Sequence, residues 1–217
     1  DGLIDQHRLG KVPILPAVAY TELAAEYYAL QAGRHEQYVL RQVTFETAFK
    51  LFHDQAREIF VEGQPDPASG SWHIEIKSNF KPARSDLSQI ILHSQAVVSG
   101  EKPDLEGLDP KQWRYHLDTP TSLPAEQSLL LIKSQGPEQR IILGQLFNDV
   151  LRDARQKEPV LIYPAGVRYP TYFPLDQLSH AKYPLQKLHV NPCFLDSIYQ
   201  ACAANLLVNR QRVYLPW

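Results

Sequence analysis

Two stretches of the chain carry apolar residues at a helical period. After Pro16, the residues Ala19, Leu23, Tyr27 and Leu30 follow at i, i+4, i+8 and i+11, the spacing of a stripe that faces a core. Proline suits the first turn, where its missing N–H costs nothing, and Gly33 suits the stop. The second stretch covers residues 191–208. It also opens on a proline, Pro192, and is apolar around most of its circumference, which predicts a helix buried along most of its surface.

Between the two the period changes to two. Residues 38–52 alternate, residues 57–62 form a second strand candidate, residues 72–78 alternate cleanly, and residues 89–98 make a fourth strand ended by Ser99 and Gly100. Residues 64–70, with Pro65, Pro67 and Gly70, read as a turn. One helix followed by four antiparallel strands predicts a sheet wrapped around a helix. Residues 101–127 break the pattern with Pro103, Pro110, Pro120 and Pro124 and read as a linker, with Trp113 and Tyr115 anchoring it. Strand candidates return at 129–132, 140–143 and 159–163. Residues 147–155 fit either a strand or a helix, residues 169–174 are irregular, and residues 212–217 read as a strand. The expected class is α+β, with parts at residues 1–100 and 128–217 joined by the linker.

Candidate chemistry falls at the two helices. His7 sits in a short turn with Gly10, ahead of the first helix. Asp196 lies on the second, with Gln200 one turn later on the same face. A carboxyl group on a buried helix is expensive unless it is paired or used.

His7 to Pro16 resembles the first signature of the dehydratase domains of modular polyketide synthases, H-x-x-x-G-x-x-x-x-P, and Asp196 to Gln200 is similar to the second, D-x-x-x-Q. Leu188-His189-Val190-Asn191-Pro192 is similar to the lead-in to the acid, and residues 40–45 and 90–98 look like strands of the first half. Two departures stand out. Gly10 follows His7 by three residues rather than four. Leu143-Gly144-Gln145-Leu146-Phe147 lacks the tyrosine and proline of the family's Y-G-P-x-F.

The resemblance implies a double hot-dog fold, two antiparallel sheets each wrapped around a central helix. It also implies strands before the first signature and after the second helix, so the chain is expected to be incomplete at both ends. The implied reaction removes water from a 3-hydroxyacyl thioester. That chemistry needs a base for the proton next to the carbonyl, an acid for the departing hydroxyl, and donors for the charge on the thioester oxygen. Histidine suits the base near neutral pH, and an aspartic acid suits the acid once apolar surroundings raise its pKa. By resemblance, His7, Asp196 and Gln200 are the catalytic residues, and Gly10, Leu15, Pro16 and Gly144 line the substrate. The substrate rides on the phosphopantetheine arm of an acyl carrier protein, so no further cofactor or metal is implied. The expected partners are that carrier and the neighbouring synthase domains, with a homodimer compatible. The same dyad also serves double-bond migration or ring closure, and a degenerate hot dog serves as a non-catalytic docking module. Product-template cyclases, similar in fold, set the acid in contexts unlike Gln200.

Composition narrows the field. A length of 217 residues with 44% hydrophobic content can build a core, and a net charge of −2 argues against a binder driven by phosphate attraction. No apolar run is long enough to span a bilayer, and no signal-peptide pattern opens the chain. The two cysteines, Cys193 and Cys202, lie nine residues apart on one helix. At about 1.5 Å of rise per residue they cannot bridge. They read as buried hydrophobes in a reduced cytoplasm. The other histidines show no metal-ligand spacing, and His93 reads as a packed, hydrogen-bonded strand residue. The tyrosines of the first helix read as core.

Overall fold

The computed structural model describes residues 4, 7–9, 11–33, 38–52, 57–81, 88–101, 121–123, 141–143, 160–163, 166–168, 189 and 192–210. The chain divides into two compact units. One comprises Ile14–Pro103 with Leu188–Pro192, and the other Asp1–Pro13, Asp104–Lys187 and Cys193–Pro216.

The first of these units is a helix in a sheet. Helix α1 (Ala17–Ala32) starts after Pro16 and ends at Gly33, whose φ of 63° is the left-handed cap that glycine adopts without strain. Strands β3 (Val39–Phe45), β4 (Ile59–Pro65), β5 (Trp72–Phe80) and β6 (Gln89–Ser99) form an antiparallel sheet in the order β3-β6-β5-β4, and α1 contacts all four. The expected helix and four strands are all present, as is the turn between β4 and β5. Asp66 holds that turn by accepting from the Ala68 N–H and the Ser69 hydroxyl at 3.0 and 2.6 Å.

The buried stripe of α1 differs from the one the period predicts. Val18, Ala19, Tyr20, Ala24, Ala25, Tyr28 and Ala29 are buried, whereas Leu30 is 64% exposed and Leu23 and Tyr27 are only part-buried. Four alanines among the buried residues let the strands approach closely, so the sheet covers more than one narrow face of the helix. Tyr20 and Tyr28 are core residues, as expected. Tyr27 instead spends its hydroxyl on the Gly63 N–H, at 3.1 Å. A Cβ at Gly63 would collide with the Tyr27 ring, which is why this strand interior tolerates glycine.

Ile74, Ile76 and Ser78 point inward from β5 while Glu75 and Lys77 point outward. On β6 the alternation breaks: Ile76 pairs with Ser94 and Lys77 with Leu92, leaving His93 as the extra residue of a bulge. His93 and Ser94 are therefore both buried. His93 Nδ1 lies 2.7 Å from the Thr47 carbonyl and its Nε2 lies 2.8 Å from Ser78 Oγ. Ser78 Oγ in turn accepts from Arg57 at 2.8 Å. The carbonyl fixes the tautomer: Nδ1 donates, and Nε2 accepts from the serine.

The other unit contains two small antiparallel sheets and a helix. Strand β1 (His7–Leu9) lies between β2 (Val12–Pro13) and β8 (Ile141–Leu143). Strand β9 (Val160–Tyr163) lies between β7 (Thr121–Leu123) and β10 (Gly166–Arg168), so the proline-rich stretch read as a linker contains a short strand. Helix α2 (Pro192–Arg210) buries Ser197, Gln200, Ala201 and Ala204, an i, i+3, i+4, i+7 stripe. Ala204 meets Ile162, Val167 and Val208. Asn205 donates to the carbonyls of Tyr163 and Gly166 at 2.9 and 2.6 Å, and Asn209 donates to Tyr163 at 2.8 Å, tying the helix to the β9–β10 hairpin.

Two expectations for α2 are corrected here. The helix is one-sided rather than buried along most of its surface: Ile198 is 48% exposed, and Cys202, one turn later on the same face, is an exposed free thiol and not a buried hydrophobe. The reason is that the packing stripe runs through small and polar residues, which turns part of the apolar surface outward. Trp113, Tyr115, the Cys193 side chain and the readings at 129–132, 147–155, 169–174 and 212–217 lie outside the described residues.

Candidate active site

His7 and Asp196 belong to the same unit, although 189 positions separate them in the chain. His7 sits on the central strand of its sheet, opposite Leu143 of β8, and is 6% exposed. On the other side Arg8 pairs with Pro13, and the Arg8 side chain donates to the Lys11 carbonyl at 3.3 Å, closing the β1–β2 turn. A central strand with partners on both edges is the stiffest place this small sheet offers a side chain.

Asp196 stands in the second turn of α2. Gln200 Nε2, one turn on, donates to Asp196 Oδ2 at 2.7 Å. Ser197 and Gln200 beside it are buried. Burial pushes the Asp196 carboxyl above the ordinary carboxylate range, while the His7 charge and the hydrogen bond from Gln200 pull it back without cancelling the rise. The imidazole is thus within electrostatic reach of the carboxyl group. Gln200 Oε1 is buried and has no hydrogen-bond partner among the described residues, an arrangement that native proteins seldom leave unexplained.

Tyr199 also lies in the field of Asp196. Its phenol is pushed up by burial first, then by Cys202 and Asp196. This neighbour was missed in the sequence because Tyr199 reads as one more apolar helix residue. Asn205 and Asn209 were missed too, although two amides four apart on an otherwise apolar helix are a readable sign of a buried carbonyl.

Of the seven expected site residues, His7, Asp196 and Gln200 lie in one unit, where Gln200 is hydrogen-bonded to Asp196 and the His7 charge acts on the Asp196 carboxyl. Leu15 and Pro16 belong to the other unit, where both are buried. The Leu15 N–H donates to the Phe49 carbonyl at 3.0 Å, and the Pro16 carbonyl accepts from Ala19 at 2.9 Å. Gly10 and Gly144 lie outside the described residues. Among the described residues no group of three or more His, Cys, Asp or Glu side chains is arranged to hold a metal, and no helix is long and apolar enough to cross a membrane.

Residues 2–79 match the family model described as the polyketide synthase dehydratase domain. The dehydratase domain from the CurF module of curacin polyketide synthase superposes with a TM-score of 0.71 at 16% identity, covering 94% of this chain and 66% of that one. A trans-AT polyketide synthase dehydratase domain from Brevibacillus brevis gives a TM-score of 0.69 at 19% identity, covering 93% and 69%. The PpsC dehydratase domain from Mycobacterium tuberculosis gives 0.65 at 15%, covering 94% and 64%. No curated protein sequence matches. The chain has the α+β double hot-dog fold of the polyketide synthase dehydratase domains and spans about two thirds of the length of these structures.

Proposed function

We propose that this chain is part of a polyketide synthase dehydratase that removes water from a 3-hydroxyacyl thioester, with His7 as base and Asp196 as acid. One observation carries the reading: in the unit that holds the buried His7, Asp196 accepts from Gln200 at 2.7 Å, in surroundings that push its carboxyl pKa up against the opposing pull of the His7 charge. Opposed environments for two titrating groups are how proteins separate acid and base roles.

The hydrogen bonds suggest how the work is divided. Asp196 Oδ2 accepts from Gln200, so it serves as the carbonyl-type oxygen of the protonated acid. The proton then sits on Oδ1, ready for the departing hydroxyl. His7 takes the proton next to the thioester carbonyl, the electron pair moves toward the adjacent carbon, and the C–O bond breaks as Asp196 delivers its proton. Gln200 Oε1 supplies an acceptor for the substrate hydroxyl before elimination. The substrate-lining roles of Gly10, Leu15, Pro16 and Gly144, the phosphopantetheine-borne substrate without further cofactor, and the carrier protein and neighbouring synthase domains as partners belong to the same proposal. It draws support from the family match at residues 2–79 and from the shared fold.

The test is to load 3-hydroxyacyl groups on an acyl carrier protein, add the protein, and follow the mass of the loaded arm. Loss of one water with the native chain and no loss with His7→Ala is expected. An unchanged rate in His7→Ala rejects the base assignment, and no turnover by the native chain rejects the dehydratase reading.

A further inference from the structure

A cavity of about 300 Å³ opens at the carbonyl end of α1, inside the unit that holds Ile14–Pro103. That volume is at the lower end of the range for cavities that take small molecules. Tyr28 and Ala32 line it from the helix, Gly70 from the β4–β5 turn, and Trp72 from β5. Ser99 closes β6 there, and Glu101 follows two residues later. The group that gives the cavity meaning is Ser99. It is 4% exposed, and its hydroxyl is buried with no hydrogen-bond partner among the described residues. Buried polar groups are nearly always paired, because an orphan carries its full desolvation penalty. A bare hydroxyl on a residue that lines a cavity fits a site whose partner arrives from outside.

The surroundings set the charge of that partner. The last turn of α1 carries no basic side chain, so the helix itself does not match the partial negative charge at its carbonyl end. Glu101 adds a full negative charge. Its Oε2 meets Arg41 Nη2 at 3.3 Å, but both side chains are more than half exposed, and so weak an ion pair can be shared with an incoming cation. No lysine, arginine or histidine is among the lining residues. Tyr28 and Trp72 supply aromatic surface, which packs on apolar carbon and attracts positive charge. An anion would find no cation in the lining to neutralise it, and a purely apolar ligand would leave Ser99 unpaired.

We propose that this cavity binds an alkylammonium group. One N–H of the ammonium donates to the Ser99 hydroxyl oxygen, its charge is met by Glu101 and the carbonyl end of α1, and the attached methylenes pack on Tyr28 and Trp72. The group is carried by a free amine or by a lysine side chain of a partner polypeptide, and the chemistry recognised is the same in both. The site is independent of the dehydration proposed at His7 and Asp196.

The test titrates the full, isotope-labelled chain with n-butylammonium chloride, with the peptide acetyl-Gly-Lys-Gly-amide and with n-butanol, following backbone amide and tryptophan indole signals by NMR. Saturable shifts at Ala32, Gly70, Trp72 and Ser99 are expected from the two ammonium probes below about 10 mM, with n-butanol binding at least about 5-fold more weakly. A lower Kd for the peptide assigns the group to a protein-borne lysine, and a lower Kd for butylammonium assigns it to a free amine; either supports the site. Ser99→Ala is expected to raise the butylammonium Kd about 10-fold and to leave the Tm of the free protein unchanged or higher, since the hydroxyl has no bond to lose. Glu101→Gln is expected to raise that Kd about 2- to 5-fold. Ala32→Phe, which fills the cavity from the helix side, is expected to abolish the shifts. The proposal is overturned by the absence of saturable shifts with both ammonium probes, by n-butanol binding as tightly as butylammonium, or by a native Kd in Ser99→Ala. A lowered Tm or a failure to fold in Ser99→Ala also overturns it, because the hydroxyl would then serve the fold and not a ligand.

Discussion

Replacing Asp196 by Asn isolates the proton that the proposed acid supplies. Asn has nearly the same volume, and its amide oxygen still accepts from Gln200 Nε2, which now lies 2.7 Å from Oδ2. The change therefore leaves the α2 packing and the local hydrogen bond in place and removes only the group that titrates. General acid catalysis by a positioned side chain contributes about 10²- to 10⁴-fold, equivalent to about 2.7–5.5 kcal/mol of barrier. The loss in kcat should fall in that range with KM little changed. The pH profile gives a second reading. Burial raises the Asp196 pKa, so the carboxylic acid survives further toward neutral pH than an ordinary aspartic acid. Native activity should fall as pH rises through that raised value, because the acid form is lost, and should fall on the acid side as the base is protonated. Asp196→Asn should lack the alkaline limb. The assay is dehydration of a 3-hydroxyacyl thioester followed by mass across a pH series, with a thermal melt to show that the fold is intact. A variant that retains native kcat, or keeps the alkaline limb, refutes Asp196 as the acid.

Two further outcomes concern the buried network beneath the first sheet. Ser78→Ala orphans the buried His93 Nε2 and removes one acceptor from Arg57, which keeps the Lys50 carbonyl at 2.7 Å. An orphaned buried acceptor and a weakened charged bond together cost about 3 kcal/mol, or about 6–12 °C in Tm at this length; a shift under about 2 °C in a melt contradicts the network's role. The His93 pKa is lowered by burial first, with the Arg57 charge adding to the effect and the bond to Thr47 opposing it. The unfolded chain therefore takes up this proton first as pH falls below about 6.5, and stability drops from there until folded His93 protonates too. Urea midpoints should decline over that window and decline less in His93→Gln; equal slopes in the two proteins would sink the assignment.

Much of the architecture was legible in the chain because local rules set it. Pro16 and Gly33 bracket α1, Pro192 opens α2, and the period of two marks β3 to β6, since each signal acts within a few residues. The candidate site residues were named through two short signatures, and the hydrogen bond between Asp196 and Gln200 followed from helical spacing alone.

Tertiary structure decided the rest. The stripe expected at Leu23, Tyr27 and Leu30 moved onto Val18, Tyr20, Ala25 and Tyr28, because a sheet that curls around a helix chooses which side chains it covers, and small residues invite the closest approach. The inward turn of His93 came from a bulge, which depends on how two strands pair and not on either strand's own pattern. The buried Glu22 carboxylate accepts from the backbone N–H of His189, 167 residues away, a bond that exists only in the folded chain. Likewise the charge of His7 acts on Asp196 only because segments from opposite ends of the chain fold into one unit. Local propensity acts over a few bonds, whereas burial, strand register and the field of a distant charge exist only once the chain has folded.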